Sequence, residues 1–144
     1  MMVSTKGRYA LRIMVSLAQR MDEGRISLAE ISKQQGISLK YMETIISVLA
    51  KAGYVSGSRG KGGGYVLTRE PQEYTVGSIL ELTEGSLAPV ACLGCKTDCQ
   101  RADSCPTLPM WIKLDQIIHD YLESVTLADL AAQARDLQMG DPVI

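Results

Sequence analysis

The sequence predicts a mainly α fold carrying one small β-hairpin, with a long helix towards its C-terminal end. Three patterns predict it. Two short amphipathic segments meet through a glycine at 28–52, a glycine-rich basic run separates two strand-like stretches at 54–67, and an apolar series at 108–125 has heptad spacing. Together they describe a winged helix-turn-helix domain followed by a dimerisation helix.

Each element has a local reason. Ala10, Ile13, Met14, Leu17, Ala18 and Met21 recur with helical period over 5–21, and Asp22-Glu23-Gly24 supplies turn chemistry after them. Ser27 stands three residues before Glu30, which predicts a reciprocal capping box at the start of LAEISKQQ, and Gly36 suits the turn that ends that helix. Ser38 caps a third helix whose inward stripe is Met42, Ile45, Ile46 and Leu49, and Gly53 closes it. Short strands are predicted at 54–56 and 64–67, flanking a loop with five glycines over 57–64 and two bases, Arg59 and Lys61. A fourth helix over 75–84 buries Ile79, Leu80 and Leu82, and 85–107 follows as a long irregular loop. Trp111, Leu114, Ile118, Tyr121 and Val125 form a heptad-like seam, widened by Ile117 and Leu122, which no comparable helix of the chain is left to cover. A two-fold homodimer is therefore expected. Thr126 caps a last short helix, LADLAAQARDL, ahead of a tail. The resulting division is a winged helix-turn-helix domain at 1–84, a cysteine-containing loop at 85–107, a dimerisation and closing helix at 108–135, and a tail at 136–144.

Composition narrows the function classes. Hydrophobic residues make up 46% and charged residues 22% of the 144, as in soluble globular domains. No apolar stretch approaches the ~20 residues that cross a bilayer. Arg8 and Arg12 interrupt any leader-like run, so a cytoplasmic protein is expected. The net charge of −1 conceals a division: residues 1–69 carry eleven Lys or Arg against four acids, a net +7, and residues 70–144 carry four against twelve, a net −8. Such asymmetry points to a polyanion partner for the first half.

A helix-turn-helix followed by a basic wing predicts double-stranded DNA as that polyanion. The third helix then presents Ser38, Lys40, Tyr41, Glu43, Thr44 and Ser47 to the major groove. Ser38 and Lys40, near its N-terminus, suit phosphate contacts. A carboxylate facing DNA is unfavourable unless it accepts a hydrogen bond from cytosine N4, which makes Glu43 the candidate for base readout. Lys6 and Arg8 add backbone contacts, Arg59 and Lys61 suit the minor groove, and the loop glycines let the backbone approach phosphate. The run GKGGGY fits neither phosphate-binding loop pattern, since no helix follows it.

All four cysteines, Cys92, Cys95, Cys99 and Cys105, fall in one window of 14 residues, which points to metal ligation or redox chemistry. Their spacing is neither that of a paired zinc ribbon nor the ferredoxin run. No other titratable constellation suggests a substrate site, so neither an enzyme nor a small-molecule substrate is expected. An iron–sulfur cluster, a closed zinc site and a reversible disulfide switch stay open on the residues alone.

The motifs STKGRYALRIM, GISLKYME, RGKGGGY and LTEG, with the spaced cysteines and Trp111, resemble the IscR-type iron–sulfur cluster regulators. These belong to a wider group of winged-helix repressors that includes the NsrR and CymR types. The resemblance covers about residues 2–135 and implies a dimeric transcription regulator that reads a pseudo-palindromic operator and controls iron–sulfur cluster biogenesis genes. It also implies a cluster of the [2Fe–2S] type on Cys92, Cys99 and Cys105. Leu108 stands where the resemblance implies a histidine ligand, so Cys95 is the candidate fourth ligand, with Asp98 and Asp103 as carboxylate alternatives. His119, the only histidine, is read as a seam or surface residue.

Overall fold

The computed structural model describes residues 3–94 and 104–139. Among the described residues, seven helices, α1 (Thr5–Gln19), α2 (Leu28–Gln35), α3 (Leu39–Lys51), α4 (Val76–Glu84), α5 (Ala91–Gly94), α6 (Leu108–Ser124) and α7 (Leu127–Met139), accompany one hairpin of β1 (Val55–Ser58) and β2 (Gly64–Leu67). Short 3₁₀ turns at Met21–Glu23 and Pro71–Glu73 complete the order. The arrangement is the winged helix-turn-helix expected from the patterns.

Helix α1 is the central rod. Ile13, Met14 and Leu17 on its buried side meet Ile31 of α2, Met42, Ile45 and Leu49 of α3, Ile79 of α4 and Leu127 of α7 in one core. Its N-terminus is closed twice. The Ser4 hydroxyl accepts from the Gly7 N–H at 3.2 Å, while the Glu84 carboxylate accepts from the Ser4 N–H at 3.1 Å and from its hydroxyl at 2.6 Å. Gly7 is buried because the end of α4 lies against it, and a Cβ there would meet the Glu84 carboxylate. These contacts give KGRYAL and LTEG a shared structural reason: the two segments form one joint.

Between α2 and α3 the turn closes as the sequence predicts. Gly36 is left-handed (φ 66°), and the Ser27 and Ser38 hydroxyls accept from Glu30 and Tyr41 N–H groups. The capping box differs in its second half. Glu30 sends its carboxylate to Arg20 at 2.9 Å, because Arg20 also holds Glu23 and gathers both acids at the end of α1. Those hydrogen bonds hold the Arg20 guanidinium charged and the Glu23 carboxyl below the usual carboxylate range.

The hairpin pairs antiparallel, Val55 with Leu67 through Ser58 with Gly64. Ile26 extends it as a third edge, exchanging N–H···O bonds with Tyr65 at 3.1 and 2.8 Å. Arg25 beside it donates to the Ser56 carbonyl at 3.1 Å and the Gly64 carbonyl at 3.5 Å. The loop glycines, read as an adaptation to phosphate, thus have an internal reason at two positions. A Cβ at Gly63 would meet the Ser58 carbonyl, and one at Gly64 (φ 143°) would lie 2.5 Å from the Ile26 carbonyl. Gly64→Ala is expected to lower stability by at least about 1 kcal/mol, since both backbone angle and space oppose it. A urea midpoint equal to that of the parent would contradict this.

Behind the hairpin, Tyr74 is fully buried. Its hydroxyl donates to the Tyr54 carbonyl at 2.8 Å and accepts from the Thr68 and Arg69 N–H groups at 3.1 Å each.

Three expectations about the C-terminal part change. Helix α7 runs to Met139, so the tail placed at 136–144 starts inside a helix, and 140–144 lie outside the described residues. Nor is 108–135 separate from the winged domain: Leu127 and Ala131 are core residues, and backbone bonds join Val76 to Val125 and Leu127 to Tyr74, each 2.9 Å. The seam of α6 is also divided. Trp111, Ile118 and Leu122 lie half-buried on the side that packs on α4 and α5, whereas Met110, Leu114, Ile117 and Tyr121 form an exposed stripe. The 3,4 spacing drew members of both rows into one series, since adjacent rows of a helix lie only a fraction of a turn apart.

Candidate nucleic-acid interface and cysteine segment

The inward stripe of α3, with Met42, Ile45 and Leu49 fully buried, turns Lys40, Glu43, Thr44 and Ser47 outward together. Their spacing i, i+3, i+4, i+7 makes them one row. The Thr44 hydroxyl donates to the Lys40 carbonyl at 3.3 Å, and Ser38 is exposed at the N-cap. Tyr41 differs from the expectation. It is half-buried with its ring edge-on to Tyr9 (5.8 Å, 81°), so it braces α3 against α1 rather than standing in the outward row. Leu39, the first residue of α3, is 43% exposed. It was missed in the sequence because it keeps the i, i+3, i+7 spacing of the inward stripe with Met42 and Ile46 and so reads as core; only its place in the first turn exposes it.

On α1, Arg8 is exposed and donates to the Thr5 hydroxyl at 3.0 Å, and Lys6 is half-buried. Arg12 reaches across to Gln35, donating to its side chain at 3.0 Å and its carbonyl at 2.7 Å, while lying 5.3 Å over the Tyr9 ring. It thereby fastens α1 to the end of α2, where helix carbonyls lack partners. Arg59 and Lys61 are exposed at the hairpin tip. Among the described residues, ion pairs engage Arg20 with Glu23 and Glu30, leaving Lys6, Arg8, Lys40, Arg59 and Lys61 without a carboxylate partner.

Of the cysteines, Cys92 is exposed in the single turn α5, and Cys105 is half-buried ahead of α6 with its Sγ 3.3 Å from the Thr107 hydroxyl. Helices α5 and α6 pack on each other, which joins the start of the cysteine window to the helix that follows it. Cys95, Cys99, Asp98 and Asp103 lie outside the described residues. Leu108 is the first residue of α6, its N–H 3.4 Å from the Cys105 carbonyl, and its side chain offers no ligand atom. The donor set is thus thiol-rich, as soft metal or cluster ligation requires.

A helix-turn-helix with an outward polar row, flanked by a hairpin with uncompensated cations, defines a DNA-binding transcription regulator rather than an enzyme. The sequence pattern of the Rrf2 family, described as an iron-dependent transcriptional regulator, matches residues 3–133. The chain belongs to the Rrf2 family. It is 39% identical over 141 residues to the HTH-type transcriptional regulator IscR of Serratia proteamaculans, covering 98% of this chain and 85% of that one. Among solved structures it is similar to CymR, the global cysteine regulator of B. subtilis (TM-score 0.78, 38% identity, 92% and 98% of the two chains). It is also similar to T. potens IscR (TM-score 0.76, 40% identity, 98% and 93%). Among the described residues, no helix is long and apolar enough to cross a membrane.

Proposed function

We propose that the protein is a cytoplasmic, homodimeric repressor that reads a pseudo-palindromic operator. Its DNA binding responds to an iron–sulfur cluster, of the [2Fe–2S] type, and it controls iron–sulfur cluster biogenesis genes. The observation that carries this reading is the junction of one basic, outward-facing helix-turn-helix with a thiol-rich segment leading into α6. Cys92, Cys99 and Cys105 would hold the cluster, with Cys95 as fourth ligand because Leu108 cannot serve. When bound, the cluster supplies metal–thiolate bonds that oxidation or iron loss breaks. The chain's own part is to join the thiol segment to α4 at one end and α6 at the other, so that ordering this segment bears on the DNA-binding domain.

The exposed stripe Met110, Leu114, Ile117 and Tyr121 supports the homodimer, since a row of this kind is buried in a helix-to-helix contact. In each protomer Lys40, Glu43, Thr44 and Ser47 enter the major groove, Ser38, Lys6 and Arg8 lie along the backbone, and Arg59 and Lys61 reach the minor groove. Tyr41 acts from behind by bracing α3. Affinity is expected to fall with salt at a slope of about −0.9 in log units per phosphate neutralised. Arg59→Ala with Lys61→Ala should reduce that slope by roughly two for each protomer. An unchanged slope in a salt titration would remove the wing from the interface.

The cluster reading is tested by absorption spectra with iron, sulfide and zinc analysis on protein purified without oxygen. Visible bands with near-equal iron and sulfide support it. A protein that stays colourless after reconstitution refutes it and leaves the second reading, a thiol switch or structural zinc site. Leu108 in place of a ligating residue, with the similarity to the cysteine regulator CymR, favours that alternative.

A further inference from the structure

The chain's only histidine does not lie alone. His119 and Glu123, one turn apart on α6, meet Glu81 of α4, and one ligand atom of each lies within 4.8 Å of the others. We propose that Glu81, His119 and Glu123 bind a divalent transition-metal ion such as Zn²⁺, separately from the cysteines. All three side chains are exposed, so an ion reaches them without opening the core.

The site is built to a particular shape. Glu123 is oriented by the Thr75 hydroxyl, which donates to its Oε2 at 3.1 Å. Its Oε1 lies over Gly77, where a Cβ would stand 2.5 Å away, so the carboxylate occupies space that only glycine leaves open. Asp115, four residues before His119, joins Glu81 and His119 in lining an open cleft of about 350 Å³ whose walls include Leu87, Leu93 and Ile118. A neutral imidazole with two carboxylates carries two negative charges, matched to a divalent cation. The nitrogen donor favours zinc, cobalt or nickel over magnesium or calcium. Three protein ligands leave further positions for water or for Asp115.

Helical geometry keeps the site clear of the exposed stripe. His119 and Glu123 lie roughly half a turn from Met110, Leu114, Ile117 and Tyr121, so a helix docked on the stripe does not cover them. Because the ligands come from α4 and α6, an occupied site clamps the two helices together.

The test uses the full chain and Zn²⁺, read by the ring-proton signals of the single histidine. In a variant with serine at all four cysteine positions, those signals are expected to shift with one equivalent of Zn²⁺, and magnesium should not reproduce the shift. Glu123→Gln and Gly77→Ala should each require at least about tenfold more zinc, as loss of a ligand or of its orientation does elsewhere. In the same serine background, Co²⁺ should give weak visible bands without thiolate charge transfer, and His119→Gln should abolish them. Where the serine variant fails to fold, the ring signals are followed in the reduced wild-type chain up to zinc saturation. Histidine signals that do not move at saturation, or a Glu123→Gln titration matching its parent, overturn the proposal.

Discussion

Glu43→Ala is expected to relax base selection at one C·G pair of each half-site while leaving non-specific DNA affinity equal or higher. Glu43 stands in the outward row of α3 between Lys40 and Ser47, one turn from the N-terminus, with no cation paired to it among the described residues. Close to phosphates its carboxylate is repelled, and the compensation available is a hydrogen bond accepted from cytosine N4. Removing it therefore loses discrimination of about 1–3 kcal/mol, roughly five- to 150-fold at that position, together with the repulsion. Sequences selected from a random duplex library by parent and variant measure this directly. Identical selected motifs would show that Glu43 is a solvated helix acid and that specificity resides in Thr44, Ser47 or Leu39.

For stability the largest effect of removing a single atom is expected at Tyr74. Tyr74→Phe keeps the ring and its edge-on contact with Tyr54 (5.3 Å, 65°) but strands the Arg69 N–H and leaves the Tyr54 carbonyl and the Thr68 N–H only their 3.4 Å bond to each other. Stranded groups of this kind cost about 1–3 kcal/mol, and each kcal/mol lowers Tm by about 2–4 °C in a chain of this size. The control is Tyr54→Phe, whose hydroxyl makes no hydrogen bond among the described residues and whose loss should stay within about 0.5 kcal/mol. Equal melting temperatures for the two variants would show that water takes over the Tyr74 partners.

The helix-turn-helix was legible because its signals are local. Ser27, Gly36 and Ser38 act on backbone groups within three or four residues, and the inward stripe of α3 repeats over several turns. Contacts made at long range were not legible. Nothing near Glu30 in the sequence says that Arg20 outcompetes the Ser27 backbone for its carboxylate. The row of α6 that faces the domain and the row that faces outward are both apolar, and only the position of α4 separates them. Tyr41 was placed on the outward face by its neighbours Lys40 and Glu43, whereas Tyr9, thirty-two residues away, claims its ring. The meeting of Glu81 with His119 likewise exists only after α4 and α6 pack.

The segment Arg25-Ile26-Ser27 has a consequence for operator reading. Arg25 and Ile26 tie the root of the hairpin, and Ser27 starts α2, so three consecutive residues set the offset between α3 and the wing. Each protomer then works like a caliper with a fixed jaw. In the proposed complex with DNA these ties would hold the distance between its two groove contacts, leaving the tip beyond Ser58 as the part that conforms. In the homodimer proposed above, choosing between operators of different half-site spacing would then rest with the contact between protomers, outside the DNA-binding domain itself.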